Sequence, residues 1–221
     1  MYTLHYFPDT ASLIVRLVLR ELKLPFTELL IDREAGALDS PAYRAMQPLG
    51  KIPAMETPDG AMFETAAILL YLSDRHPGLA PAPESPDRAA FLKWFFFTST
   101  NVHPTLLDLF YPDRAAGPES ADAVLTHAHE RMQSFLTLLD HMVADDRPEW
   151  LSDTRPSLLG YYLAVLIRWL ASCPPGSPAH FTSRDFPALH RALAYLETCP
   201  AALDAALAEA LGPTIFTNPA V

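Results

Sequence analysis

The sequence contains little cysteine. Its two cysteines, Cys173 and Cys199, both lie in the second half of the chain, and neither has the neighbours that a metal site requires. Two cysteines also do not make the disulfide framework of a small secreted domain. We therefore expect no metal, and a reducing cytoplasm as the compartment.

Long apolar runs and excess positive charge are also missing. No apolar run reaches the length of a membrane span, and the start, MYTLHYFPD, lacks the basic and apolar regions of a secretion signal. The net charge of −10 argues against nucleic acid and anionic membrane surfaces as partners. Half of the 221 residues are hydrophobic, which is enough for a sizeable core.

The order of predicted elements divides the chain into two parts. Residues 1–78 run strand, helix, strand, then strand, strand, helix, which indicates one mixed sheet with helices on its faces. Residues 79–87 form a proline-rich linker without apolar periodicity. Residues 88–221 carry helical periodicity and a C-terminal tail that we expect to lie over the surface. Helices are predicted over Arg88–Phe110, Ala121–Val143, Ser157–Ser172, Phe186–Thr198 and Ala201–Leu211.

Two signals between residues 50 and 76 point to a peptide-binding site. Ile52-Pro53 precedes a short strand, and X-Pro bonds are the only ones with ready access to the cis form. A cis bond would turn the Ile52 main chain outward, where its N–H and C=O could pair with an extended peptide. Glu64-Thr65 then opens a helix, with Thr65 as the expected N-cap. The free N–H groups at this helix start would hold a carboxylate.

The combination of GKIPAM with FETAAILLYL resembles the glutathione-binding half of a cytosolic glutathione transferase. The resemblance implies a thioredoxin-like α/β N-terminal domain with a mixed four-stranded sheet, followed by an all-α helical-bundle domain. It implies glutathione as the co-substrate, and a homodimer. The main chain of Ile52, fixed by Pro53, would pair with the cysteinyl part of glutathione, and Glu64 and Thr65 would hold its γ-glutamyl end.

Lys51 is similar to the lysine that meets the glycine carboxylate of glutathione in serine-type members of this family. The structural alternative for Lys51 is a solvated surface lysine. The alternative for Glu64 and Thr65 is a capped helix with a surface acid.

Three hydroxyls in the stretch YFPDTAS compete to activate the glutathione thiol, which must lose its proton to react. Ser12, with Arg16 four residues on, resembles the serine-type members and is the first choice; its alternative is a plain helix N-cap. Tyr6 resembles the tyrosine of the tyrosine-type members, and its alternative is a packed residue at a strand end. Thr10 is the third choice, or a turn residue. Ala11 stands where the bacterial beta-type members carry a cysteine, which disfavours thiol–disulfide exchange.

The helical part adds two observations. His103 resembles a cleft histidine of the beta-type enzymes, against the alternative of a satisfied core histidine, and Pro104 should disturb the helix at that point. Gly160 stands three residues after Ser157, where the family usually has the aspartate of a capping box.

The sequence therefore predicts an enzyme that conjugates glutathione thiolate to a small hydrophobic electrophile. The alternatives are a glutathione-dependent isomerase or dehalogenase, and a non-catalytic scaffold of the same fold.

Overall fold

The computed structural model describes residues 1–220 and begins with a four-stranded sheet in the order β2-β1-β3-β4. β1 pairs with β2 in parallel and with β3 antiparallel, and β3 and β4 form an antiparallel hairpin. The mixed sheet predicted from the element order is thus observed. Its elements are β1 Tyr2–Tyr6, α1 Ser12–Glu21, β2 Phe26–Leu30, α2 Pro41–Met46, β3 Ala54–Thr57, β4 Gly60–Phe63 and α3 Thr65–Arg75.

The two faces of the sheet are covered differently. Leu4 and Met55 lie opposite each other and belong to a large core that continues into the helical part of the chain. On the other face Ala54 packs with Tyr43 of α2 in a small separate cluster. The alternation of side chains along each strand produces this division. One face of the sheet therefore shares a hydrophobic core with the helical part of the chain.

The strand register brings three distant residues to the same end of the sheet. His5 pairs with Ala54, and Ala54 pairs with Phe63. One residue further along each strand, Tyr6, Pro53 and Glu64 fall next to one another. We call these three residues the sheet-end row.

The second part of the chain is helical, as the periodicity predicts. The first long helix is interrupted by a π-helical segment, Thr98–Val102, and a new α-helix begins at His103. Pro104 explains the interruption, because proline lacks an N–H and its ring clashes with the carbonyl of the preceding turn. The helices are α4 Arg88–Phe97, α5 His103–Phe110, α6 Pro112–Ala116, α7 Ala121–Asp146, α8 Leu158–Ala171, α9 Pro187–Glu197 and α10 Pro200–Glu209.

Two expectations are corrected here. The tail does not lie over the surface, because Ile215 and Phe216 are buried and Glu197 accepts hydrogen bonds from the N–H groups of Phe216 and Thr217. The short helix α6 was not predicted, since five residues are too few to show a helical period. Among residues 1–220, no helix has the length and apolarity needed to cross a membrane.

Candidate functional site

The Ile52–Pro53 peptide bond, in the middle of the sheet-end row, is cis, as the sequence predicts. Pro53 is buried and Ile52 is half-buried. The preceding carbonyl, that of Lys51, accepts a hydrogen bond of 2.6 Å from the Tyr43 hydroxyl. Within residues 1–220 the N–H and C=O of Ile52 have no backbone hydrogen-bond partner. Ile52 therefore offers a free donor and acceptor at the end of the sheet.

Glu64 lies at one end of the sheet-end row, opposite Tyr6, and Thr65 follows it in the chain. Helix α3 begins at Thr65, so the N-cap position belongs to Glu64, and the expectation of Thr65 as the N-cap is wrong by one residue. Glu64 has a φ of 71°, a left-handed conformation that is unusual for a residue other than glycine. Glu64 is exposed, whereas Thr65 is buried at the helix start. An acid and the positive end of a helix dipole therefore lie side by side, which suits a zwitterionic amino-acid group.

Lys51 and His103 lie on opposite sides of the junction between the sheet and the helices, close enough for the charge of Lys51 to act on His103. Lys51 is exposed, and His103 shares a hydrogen bond of 2.9 Å between its Nδ1 and the Tyr162 hydroxyl. Burial, together with the nearby Lys51 charge, lowers the pKa of His103 to about 4, so His103 is neutral at pH 7. Burial raises the pKa of Tyr162, and the Glu64 charge adds to this effect. Lys51, Glu64, His103 and Tyr162 therefore lie near one another.

The three hydroxyl candidates lie on or next to the short segment that joins β1 to α1. We call Phe7 to Ser12 the hydroxyl loop. The side chain of Ser12 is fully buried, and its hydroxyl lies 3.1 Å from the Phe7 carbonyl oxygen and 2.9 Å from Thr10 Oγ1. Thr10 is half-buried and donates to the same carbonyl at 2.8 Å. The N-cap position of α1 is Ala11, so Ser12 is not a plain N-cap.

Tyr6 lies just before the hydroxyl loop, in the sheet-end row. Its ring packs under the guanidinium of Arg16, with 4.4 Å between the Arg16 Cζ and the ring centroid. Tyr6 is therefore both a packed residue at a strand end and a residue at the candidate site. The structure thus brings Tyr6, Thr10 and Ser12 together at one end of β1.

A group of side chains next to the hydroxyl loop, in which Arg16, Arg168 and Glu209 are buried and Asp9 is half-buried, was missed by sequence reasoning. Asp9 accepts from Arg168 through both carboxylate oxygens, at 3.0 and 2.7 Å, and from Trp169 Nε1 at 2.8 Å. The Asp9 N–H donates to Glu209 at 2.6 Å, and Glu209 also pairs with Arg16. We call these five residues the interdomain clamp.

A signal for the interdomain clamp exists in the sequence. Arg168 is the one charged residue in the apolar helix LLGYYLAVLIRWLA, and Arg16 lies in the apolar run SLIVRLVL. A lone arginine among buried apolar residues requires a buried acid as partner. Periodicity says nothing about which acid that is, so the partners appear only in the folded chain.

The dimensions of the sheet-end row fit a short extended peptide. Neighbouring strands lie about 4.8 Å apart, so the row spans roughly 10 Å from Tyr6 to Glu64. An extended tripeptide is about 10 Å long. Such a peptide would have one end at the Glu64–Thr65 helix start, its middle at the Ile52 main chain, and a side chain directed to the hydroxyl loop.

Comparison with known proteins agrees with this geometry. A family model described as the glutathione S-transferase N-terminal domain matches residues 4–82. Glutathione S-transferase GST-4.5 of Xanthomonas campestris is 30% identical over 169 residues, which cover 73% of this chain and 79% of that protein. The disulfide-bond oxidoreductase YfcG of Escherichia coli is 30% identical over 150 residues, or 65% of this chain and 67% of YfcG.

A solved structure confirms the predicted fold. A sphingomonad glutathione S-transferase complexed with glutathione is 28% identical, superimposes with a TM-score of 0.75, and covers 95% of this chain and 100% of its own. The thioredoxin-like domain and the helical domain expected from the sequence are therefore both present. The chain belongs to the glutathione S-transferase family.

Proposed function

We propose that the protein conjugates the thiolate of glutathione to a small apolar electrophile. The observation that carries this proposal is the sheet-end row, which sets a free Ile52 main chain between the Glu64–Thr65 helix start and the hydroxyl loop. Catalysis would come from holding both reactants together and from stabilising the thiolate. The solved relative that holds glutathione supports this assignment.

Each anchoring residue has a role in the proposal. Glu64 takes the ammonium of the γ-glutamyl group, and the Thr65 hydroxyl and N–H take its carboxylate. Ile52 pairs with the cysteinyl main chain, and Lys51 meets the glycine carboxylate. Neutral His103 lines the same cleft from the helical side.

The electrophile would enter beside the hydroxyl loop. A groove of about 360 Å³ opens there, and its lining combines apolar and charged side chains. The lining residues are Phe7, Leu30, Ile31, Asp32, Arg33 and Glu34.

Binding and turnover of glutathione test the proposal. Titration calorimetry with glutathione should give saturable heat, and an activated aryl halide should be conjugated in its presence. The matched control is Glu64→Gln, which keeps the side-chain volume and removes the charge. Absence of heat at millimolar glutathione would instead favour a non-catalytic scaffold.

Single variants decide among the three hydroxyls. We keep Ser12 first, because its hydroxyl begins α1, where the helix dipole favours an anion. Ser12→Ala should lower conjugation by about tenfold or more with little loss of glutathione affinity, because one hydrogen bond to a charged group is worth about 1.5–3 kcal/mol. Thr10→Val and Tyr6→Phe complete the set. Full activity in Ser12→Ala with none in Tyr6→Phe would reassign the role to Tyr6.

Glutathione-dependent disulfide exchange is the second candidate, favoured by the similarity to YfcG. Ala11 supplies no cysteine in the hydroxyl loop, so the bound glutathione thiolate itself would attack a substrate disulfide. One substrate thiol leaves, and a second glutathione releases the other thiol as oxidised glutathione forms. A panel containing a small organic disulfide and an aryl halide, each with glutathione, separates the two reactions.

The assembly and compartment are also proposals. Two-fold symmetry is the commonest form of small oligomers, and we propose a homodimer in the cytoplasm that serves detoxification. The free thiols of Cys173 and Cys199 are compatible with a reducing compartment. Sedimentation velocity at micromolar concentration measures the assembly state directly.

A further inference from the structure

The hydroxyl loop is fixed by residues that lie far from it in sequence. Asp9, in the middle of the loop, has a φ of 50° and is bonded through its side chain to Arg168 and Trp169 of α8. Its main-chain N–H is bonded to Glu209 at the end of α10. Both the side chain and the backbone of one loop residue are thus held by the helical domain.

The residues that hold Asp9 are themselves fixed. The side chain of Arg168 is 4% exposed and donates a further hydrogen bond of 3.0 Å to the Ile215 carbonyl in the buried tail. The side chain of Glu209 is 1% exposed and pairs with Arg16, which also donates to Glu28 at 2.6 Å. Few rotamers satisfy so many charged hydrogen bonds at once, so the interdomain clamp is a rigid support.

All three candidate hydroxyl residues are connected to the interdomain clamp, through the chain, a hydrogen bond or packing. Thr10 follows Asp9 directly, and Ser12 shares a hydrogen bond with Thr10. Tyr6 packs under Arg16. A shift of about 1 Å in a positioned group can cost on the order of a hundredfold in rate, so the support of this loop matters for catalysis.

We propose that Asp9, Arg168 and Glu209 are positioning residues that hold the hydroxyl loop in the place from which its hydroxyl donates to the sulfur of bound glutathione. The inference rests on the proposed use of glutathione. On this proposal the helical domain contributes to thiol activation as well as lining the cleft. Trp169 assists by donating to the same carboxylate of Asp9.

Asp9→Asn is the sharpest test of this role. Asparagine tolerates the left-handed conformation of residue 9 and has nearly the same volume, so the substitution removes the charge with little other change. The matched control is Asp74→Asn. Asp74 of α3 pairs with Arg88 of α4 at 2.9 Å, another ion pair between the two domains, which does not contact the hydroxyl loop.

The readout is the titration of the thiol of glutathione bound to each variant, followed by the ultraviolet absorbance of the thiolate. In Asp9→Asn the pKa of the bound thiol should rise by about one unit and kcat should fall about tenfold, as a lost or lengthened hydrogen bond to the thiolate predicts. The KM for glutathione should change less than about twofold, because the anchoring residues are intact. Asp74→Asn should match the wild type in all three.

Hydrogen exchange of residues 7–12 without glutathione gives a second readout. It should rise in Asp9→Asn and stay unchanged in Asp74→Asn. A bound-thiol pKa that stays at the wild-type value while the loop exchanges faster would overturn the positioning role. An equal shift of the thiol pKa in Asp74→Asn would also overturn it, since the effect would then follow general stability.

Two further results keep the test decisive. If Asp9→Asn does not fold, Trp169→Phe removes only the indole donor and should raise the thiol pKa by a smaller amount; an unchanged value would count against the proposal. If the wild type itself leaves the thiol pKa of glutathione unshifted, the proposed function fails and the positioning role falls with it. Hydrogen exchange would still report whether Asp9 holds the loop, so the two failures are distinguishable.

Discussion

The two sides of the site are built in different ways. The anchoring side consists of Lys51, Ile52, Glu64 and Thr65, which lie just before and just after one hairpin. The position of the hydroxyl loop depends on distant residues. Arg168 and Glu209, which bind Asp9, lie 159 and 200 positions away from it in sequence. The anchoring side offers free polar groups to a ligand, whereas the loop has most of its polar groups satisfied within the protein.

Because of this difference, we expect changes on the two sides to alter different properties: glutathione affinity on the anchoring side, and protein stability beneath the hydroxyl loop. On the proposed roles, replacing Glu64 or Lys51 removes a contact with glutathione and leaves the fold unaffected, because both residues are exposed. A change beneath the hydroxyl loop disturbs buried charges and therefore the stability of the protein. The following tests either sharpen this contrast or remove it, in order of decreasing effect.

The largest effect is expected from Arg16→Met, which removes a buried guanidinium. Glu209 would lose its charged partner while 1% exposed, and breaking a buried pair in this way costs about 3–5 kcal/mol. The free energy of unfolding in denaturant measures the loss. Burial already raises the pKa of Glu209, so at lower pH the variant can protonate this carboxyl and its deficit should shrink.

Arg75→Met is the matched control for that change. Arg75 and its partner Asp59 have side chains that are 49% and 52% exposed, so the loss should be about 1 kcal/mol or less. Equal losses in the two variants would mean that the interdomain clamp has no special weight in the stability of the fold.

The second effect concerns affinity. Glu64→Gln should weaken glutathione binding by about 1–2 kcal/mol, which is the difference between a charged hydrogen bond and the neutral one that replaces it. Calorimetry gives the dissociation constant, and thermal unfolding without ligand should be unchanged. A drop in melting temperature with unchanged affinity would make Glu64 a structural acid at the helix start.

The third effect is a loss of stability at the start of α8. Ser157 caps this helix by accepting from the Gly160 N–H at 2.9 Å. A Cβ at position 160 would lie 3.0 Å from Ser157 Oγ and 3.2 Å from Leu196 Cδ1, so Gly160→Asp should cost about 1–3 kcal/mol. Gly160→Ala adds the Cβ alone and serves as control. A higher melting temperature in Gly160→Asp would show that the missing capping-box carboxylate matters more than the packing.

The effect that is smallest at pH 7, and that grows as the pH falls, is a dependence of stability on pH through His103. The pKa of His103 is about 4 in the folded chain and about 6.5 when unfolded, so the unfolded state binds more protons between these values. Its contribution is fully present above pH 6.5 and is lost as the pH falls towards 4. His103→Gln should flatten this part of the stability profile, whereas His127→Gln, at an exposed position, should not. Identical profiles in the two variants would mean that His103 is not the titrating group.

Much of the fold was predictable because local patterns agree with the tertiary structure. The predicted order strand, helix, strand, strand, strand, helix over residues 1–78 matches β1, α1, β2, β3, β4 and α3. The helix boundaries moved by a few residues, as with Thr65, because the exact cap depends on backbone angles. The tail was misjudged, since only the folded core shows that Ile215 and Phe216 have a place in it.

For the proposed site, the residues of the anchoring side were identified from the sequence, whereas the support of the loop was not. The Ile-Pro and Glu-Thr pairs lie close together in the chain, so their spacing is enough to identify them. The partners of Arg16 and Arg168 are carboxylates on the hydroxyl loop and at the end of α10. A sequence shows that such partners are needed, but several acids could serve.

The sequence by itself determined the order of strands and helices, the cis-proline turn and the residues that we propose to hold glutathione, because each depends on neighbours within a few positions. Only the tertiary structure decided how the hydroxyl loop is held. Pairing of buried charges is a long-range choice, made when the helical domain packs against the sheet and excludes water from the arginines.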